Sequence, residues 1–227
     1  VYKRQDQTLT VSVSNVDDTN PLIKGPSGTE GDATSSVSIN ENVSTINTFT
    51  ADESVTWSLN GGDDSALFVI NSSTGALTFS SAPDYESPTD SDSNNTYVVV
   101  VRATDAASNT SDQTLTVSIL DVDEKNPLIT GPSGSAGDAT SSISIAENLT
   151  ALHSFTANEA VTWSLNGGAD VSKFIIDSLT GTLSFSSAPD YESPTDSDSN
   201  NIYLVNVRAT DAAGNTSDPV SYTHLEP

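Results

Sequence analysis

The stretch APDYESPTDSDSNN fills residues 82–95 and returns without a change at 188–201. It lies inside a longer repeat that puts Trp57 and Trp163 in matching places, an offset of 106 residues. A period of that length is a whole domain rather than one turn of a solenoid, so the chain reads as part of a tandem array. Directly after each copy come TYVVVVRATD at 96–105 and IYLVNVRATD at 202–211. Runs so rich in β-branched residues resemble a central strand. Outward from there, the segments 37–40, 48–51, 55–60, 67–71, 76–80, 96–105 and 114–120 share that character. TLTVSIL at 114–120 alternates apolar and polar residues, as a strand with one wet face does. Asn60-Gly61-Gly62 and Ser73-Thr74-Gly75 supply turn residues tolerant of positive φ. No segment carries a sustained helical apolar stripe. The expected fold is all-β: tandem seven-stranded Greek-key β-sandwiches. The core is expected around Trp57, Leu59, Phe68, Ile70, Leu77, Phe79, Tyr97 and the valines that follow.

Composition narrows the partners. Seven Lys and Arg stand against 31 Asp and Glu, a net charge of −24, which disfavours nucleic acid and anionic membrane and favours divalent cations. No apolar run reaches membrane-spanning length, so no direct membrane insertion is expected of this stretch. Neither end has the regions of a signal peptide. Cysteine is absent, which excludes disulfides and thiolate metal sites and leaves metal bound by oxygen as the available staple.

The two ends read as foreign. VYKRQ at 1–5 is what GTG TAT AAG AGA CAG encodes, and the reverse complement of that DNA, in another frame, encodes the PVSYT of 219–223 and begins a His codon. Both ends therefore resemble one inverted DNA tag of the kind a transposase adapter leaves. The first copy continues as SDQTLTVSILDVDEKNP from Ser111, whereas the second leaves that pattern at Pro219. The expected organisation is a tag at 1–5, the last strand and linker of a preceding repeat at 6–21, and a complete domain at 22–125. A second domain at 126–218, truncated before its last strand, and a tag at 219–227 complete it.

The motif order resembles a cadherin repeat, in particular the cadherin-like repeats of large bacterial surface adhesins. It runs INEN at 39–42, FVINSSTGAL at 68–77, DYE at 84–86, VRATD at 101–105 and DVDEKNP at 121–127. IAEN at 145–148, FIIDSLTGTL at 174–183, DYE at 190–192 and VRATD at 207–211 repeat it. The resemblance covers about nine-tenths of the chain, and five motifs in order carry more weight than any one alone. It implies calcium at the junction between domains, held by Glu41, Asp84 and Glu86, by Asp121, Asp123 and Glu124 of the linker, and by Asp211. Asp105, Asp17, Asp18, Glu147, Asp190 and Glu192 would belong to the half-sites on either side. Calcium takes six to eight oxygen ligands, and clustered carboxylates supply them while losing their mutual repulsion. The family linker reads approximately DxNDNxP; here Glu124 and Lys125 replace its second Asp and following Asn, and the lower domain's DxD is shortened to Ala157-Asn158-Glu159. About one or two ions per junction, rather than three, are expected from so reduced a ligand set.

The identical loop offers a second kind of calcium site. Asp90, Asp92 and Asn94, repeated as Asp196, Asp198 and Asn200, have the DxDxN spacing with which a tight loop wraps calcium. The glycine expected next is missing, and Asn95 or Asn201 stands near there; the bland alternative is a solvated acidic loop. His153, whose counterpart is Asn47, reads as a surface residue, and Trp57 and Trp163 as core rather than sugar platforms. Asp84 and Glu86 could pair as a glycosidase acid and base, but few aromatics are present to stack a sugar, so no enzyme is expected. The expected role is extracellular and at the cell surface, in cell adhesion or as a calcium-stiffened spacer. Adjacent repeats of the same protein are its first partners, with other cell-surface proteins or glycans beyond them. The rivals are a linker or carbohydrate-binding module on a secreted enzyme, and a metal-independent mechanical repeat.

Overall fold

Alternation decides the central strands. In the computed structural model, which describes residues 3, 4 and 6–226 and only the backbone of Val220 and Tyr222, every second residue of Thr96–Thr104 is buried. Val1, Tyr2, Gln5 and Pro227, of the ends read as a tag, lie outside the described residues. The chain divides into two units, Val1–Val122 and Asp123–Pro227.

The first unit contains β1 (Ile23–Lys24), β2 (Thr34–Asn40), β3 (Thr45–Thr48), β4 (Thr50–Ala51), β5 (Thr56–Leu59), β6 (Phe68–Ile70), β7 (Ala76–Phe79), β8 (Thr96–Thr104) and β9 (Thr110–Leu120). One sheet has the order β2-β9-β8-β5 and the other β3-β7-β6, seven strands in the two, with β1 and β4 pairing separately. β8 and β9 are antiparallel with Tyr97 opposite Val117 and Val99 opposite Leu115, while β2 runs parallel to β9. The inward faces carry Tyr97, Val99, Val101, Leu115, Val117 and Ile119, against which Phe68, Leu77 and Phe79 pack. Phe68 and Phe79 stack at 4.7 Å, and Tyr97 meets Phe79 edge-on at 5.0 Å. Trp57 is buried beside Phe49, at 6.1 Å. Gly75 closes the β6–β7 turn at φ 73°, where a Cβ would strike the Phe49 carbonyl and the Trp57 ring. Leu59 and Ile70 are only partly buried, and Phe49 and Ile23 join the core unannounced.

Two strands start earlier than their apolar pattern. β2 begins at Thr34 and β9 at Thr110, through Ser- and Thr-rich sequence. Backbone pairing continues there because polar side chains find partners: Ser35 Oγ donates to Gln113 Oε1 at 3.1 Å, and Arg102 grips Asp112 through two bonds of 2.7 Å. The segment 48–51 splits at Phe49, with β3 pairing β7 and β4 pairing β1.

The second unit repeats the plan with β10 (Ile129–Thr130), β11 (Thr140–Ala146), β12 (Ala151–Ser154), β13 (Thr156–Ala157), β14 (Thr162–Leu165), β15 (Phe174–Ile176), β16 (Thr182–Phe185), β17 (Ile202–Thr210), β18 (Thr216–Ser217) and β19 (Val220–Glu226). Its sheets run β11-β19-β17-β14, with β18 beside β17, and β12-β16-β15; β10 pairs β13. Beyond Asp218, where the pattern of the repeat ends, a strand still forms. VSYTHLE at β19 lies parallel to β11 and antiparallel to β17, as β9 lies against β2 and β8. The alternation of that sequence turns Ser221, Thr223 and Leu225 inward, so a ladder forms although two of the three residues are polar. His153 is half-buried rather than on the open surface, its ring edge-on to Phe155 at 5.2 Å. Residues 6–21 form no strand, and TLTVSVS at 8–14 joins no ladder among the described residues. No helix of the described residues is long and apolar enough to cross a membrane.

Candidate metal centres

Three carboxylates converge in each unit at positions 106 residues apart. In the first unit, oxygens of Asp17, Glu53 and Asp105 all lie within 4.8 Å of one another; in the second, those of Asp123, Glu159 and Asp211 do. The local chain explains how each is held. Asp105 follows β8 and is buried in a tight turn where its Oδ1 accepts the Asn109 amide at 2.8 Å and its Oδ2 accepts Asn109 Nδ2 at 2.7 Å. Ser108 takes φ 75° to make that turn. The same Asn109 Nδ2 donates to the Asp17 carbonyl at 3.3 Å, tying residue 17 to the turn. Glu53 follows β4, positioned by Asp52, whose Oδ1 accepts the Leu22 amide at 2.7 Å. In the second unit Asn215 Nδ2 donates to the Asp123 carbonyl at 2.8 Å and to Asp211 Oδ2 at 2.9 Å, and Asn158 Oδ1 accepts the Leu128 amide at 2.6 Å.

The electrostatics of the first group are strained. Burial, then the charges of Asp105, Asp17 and Asp52, push the Glu53 carboxyl up. Asp105 goes the other way: burial raises it, but hydrogen bonds from the Asn109 side chain and the turn amides outweigh that and leave it lowered. Asp211 is lowered by the same balance, with Asn215 and Gly214 among the donors. The donor set fits calcium. Oxygens around one ion at about 2.3–2.6 Å are at most about 5 Å apart, and an all-oxygen, carboxylate-rich set suits a hard cation. Three carboxylates leave the rest of a six- to eight-fold shell to carbonyls and water.

A second group sits at the opposite strand ends. Glu147, Asp190 and Glu192 bring carboxylate oxygens within 4.8 Å of one another, and Glu41 and Glu86 approach within the same distance. Asn42 and Asn148, each at φ 62°, turn the chain just after Glu41 and Glu147. Glu41 is 2% exposed, its Oε2 accepting the Tyr85 amide at 2.7 Å and its Oε1 the Val122 amide at 2.8 Å. These two bonds, Tyr85 first, hold its carboxyl below the ordinary value. Glu147 accepts the Tyr191 amide at 2.9 Å in the same way. Asp84 Oδ1 accepts the amides of Glu86 and Ser87, and Asp190 those of Glu192 and Ser193. Asp18, Asp121 and Glu124 are exposed linker residues.

The DxDxN loop is organised by its own hydrogen bonds. Asp90 is 5% exposed and accepts the Asn94 and Asn95 amides at 2.7 and 3.3 Å; Asp92 accepts Asn94 Nδ2 at 2.7 Å. Asp196, Asp198, Asn200 and Asn201 repeat this. Asn95 and Asn201 adopt φ 62° and 64°, taking the left-handed place where a glycine was expected. Contact with Asp90, then burial, pushes Asp92 up; burial, then Asp196, does so for Asp198. Asp64 anchors the loop by accepting the Ser91 and Val98 amides at 2.7 and 2.8 Å, and Asp170 does so in the second unit. Among the described residues, the loop carboxylates join none of the acidic groups of three.

Glu53, Glu159, Asn109, Asn215, Asp64 and Asp170 were not singled out as site or anchor residues from sequence. Their recurrence at the repeat offset was the available signal.

No protein-family profile matches the chain, and no curated protein matches it. Solved structures do. Human protocadherin-24 EC1-2 is 15% identical with a TM-score of 0.55, the match covering 92% of this chain and 99% of that one. A second form of it gives a TM-score of 0.51 at 15% identity, covering 92% and 100%. Protocadherin gamma B2 extracellular cadherin domains 3-6 give 0.51 at 14% identity, and this chain, 92% covered, spans about half of that one, 53%. The shared feature is the fold, that of extracellular cadherin domains.

Proposed function

We propose that this chain, two units of the cadherin-repeat fold, is a stretch of a large extracellular surface adhesin. Its repeats bind calcium and serve cell adhesion or act as a calcium-stiffened spacer. The observation that supports this reading best is the recurrence, at the repeat offset, of a carboxylate triad joining the linker to two loops of each unit. Asp17 and Asp123 come from the linkers, Glu53 and Glu159 from the turns after β4 and β13, and Asp105 and Asp211 from the ends of β8 and β17. When bound, calcium supplies positive charge that converts this repulsion into a cross-link. The chain's own part is to hold Asp105 and Asp211 in place through Asn109 and Asn215, and to bring the linker carboxylates to them. Glu41, Asp84, Glu86 and Asp121 are assigned to a further ion, with Glu147, Asp190 and Glu192 as its counterpart. The DxDxN loop is a weaker, outer site. Adjacent repeats are the first partners, no catalytic role is assigned, and the location is the cell surface.

Thermal unfolding in calcium and in chelator tests this. One site at a hundredfold excess over its dissociation constant stabilises by about 2.7 kcal/mol. The melting temperature should rise with calcium and rise less in Glu159→Gln. An identical melt in calcium and chelator would exclude the reading.

A further inference from the structure

Asn60-Gly61 and Asn166-Gly167 stand at the same place in the two units, directly after β5 and β14. The chain is pinned on either side of each pair and loose between. Asn60 N–H donates to the Val100 carbonyl and the Gly61 carbonyl accepts the Val100 amide, both at 2.8 Å. Asn166 and Gly167 make the same two bonds with Asn206 at 2.9 Å. The Gly61 and Gly167 N–H groups, which lie between these bonds, make no hydrogen bond among the described residues. Nor are they crowded. The glycines have φ 113° and 107°; a Cβ would meet nothing within 4 Å at Gly61 and only Asn206 Nδ2, at 3.9 Å, at Gly167. Both asparagines are exposed, and each leans on one carboxylate: Asn60 Nδ2 donates to Asp112 Oδ2 at 3.0 Å and Asn166 Nδ2 to Asp218 Oδ1 at 3.3 Å.

We propose that Asn60 and Asn166 are sites of spontaneous deamidation, with Asp112 and Asp218 as the groups that hold the reaction back. The Gly61 nitrogen, on losing its proton to hydroxide, attacks Cγ of Asn60. The Cγ–Nδ2 bond breaks, Nδ2 takes a proton from water and leaves as ammonia, and a five-membered succinimide remains. Water then opens the ring at either carbonyl to give isoaspartate or aspartate. Glycine matters because a Cβ on the attacking residue would screen its nitrogen. Asp112 slows the step by holding Nδ2, and with it the Asn60 side chain, in one rotamer; Arg102 in turn holds Asp112 through two bonds of 2.7 Å. Asp218 and Arg208 do the same for Asn166. In the product a carboxylate faces Asp112 where an amide donated to it, so attraction becomes repulsion. Isoaspartate also adds a backbone carbon between the two bonds that pin residues 60 and 61 to β8. Glu53 and Asp105 lie at the other end of β5, so the change does not reach the triad.

Peptide mapping by mass spectrometry, on the 227-residue chain kept in warm, mildly alkaline buffer with chelator, tests the proposal independently of calcium. Conversion is expected to be faster at Asn60 and Asn166 than at the other asparagines, and to yield isoaspartate together with aspartate, the mark of a succinimide. Its rate should rise with pH, since the glycine nitrogen must lose a proton. Asn60→Gln should lose the acidic species that the first unit contributes on anion exchange, because the longer side chain does not close the five-membered ring. Asp112→Asn, with its circular dichroism kept, should speed conversion at Asn60 and leave that at Asn166 unchanged. The proposal is overturned if Asn60 and Asn166 stay intact in the folded chain while the same chain in guanidinium converts them. Aspartate without isoaspartate, or a rate at Asn60 indifferent to Asp112→Asn, overturns it as well.

Discussion

Thr223 and Val117 hold equivalent places in their sheets, differing by a methyl exchanged for a hydroxyl. Thr223 is fully buried, and its hydroxyl has no hydrogen-bond partner among the described residues; such a hydroxyl costs about 1–3 kcal/mol, so Thr223→Val should stabilise the second unit by about that amount, read from its urea midpoint. Glu41 makes an acid-sensitive contribution. Its carboxyl is lowered from 4.5, chiefly by the Tyr85 amide and then that of Val122, so its stabilisation is full above 4.5 and is lost as pH falls through the lowered value. Glu41→Gln should therefore lower the midpoint at neutral pH and flatten its decline below pH 4.5, as acid titration of the urea midpoint will check. Glu53 has the opposite sign: raised above 4.5, first by burial and then by Asp105, Asp17 and Asp52, it stabilises most when protonated, and that help is lost as pH rises through the raised value. Asp105 and Asp123 were legible as ligand candidates because their motifs are. Glu53 was not, since its carboxylate meets Asp105 through the register of β5 on β8, Thr56 opposite Thr104, which neither strand's own sequence announces.

Among elements, the long central strands were readable from their alternation, and β8 and β17 bury every second residue as that pattern requires. The polar starts of β2 and β9 were not, because the Ser35–Gln113 bond joins residues 78 apart and the Arg102–Asp112 fork depends on the register of β8 on β9. β19 was missed for a related reason: a sequence foreign to the repeat still alternates, and an open ladder between β11 and β17 accepts it. What it lacks is core volume. Giving β9 the same defect, Leu115→Ser with Val117→Thr, should destabilise the first unit by more than about 3 kcal/mol, in the range of large-to-small core changes. Chemical denaturation followed by the fluorescence of Trp57 in a Trp163→Phe background will measure it.

For the whole molecule, a charge of −24 sets a background of repulsion that any cation relieves in part. Sodium chloride should raise the melting temperature gradually over about 0.1–1 M by screening, whereas calcium should act at far lower concentration and saturate. The acidic excess made a divalent cation the expected partner; which carboxylates meet depended on the fold. The most direct test of the central claim is a calorimetric calcium titration of the 227-residue chain at constant ionic strength. Saturable binding is predicted at or below about 10⁻³ M, the range of extracellular modules. Glu53→Gln and Glu159→Gln should each weaken or remove one class of site and together most of the heat. Absence of saturable binding in that range, or titrations unchanged in the double variant, would contradict the assignment of calcium to these triads.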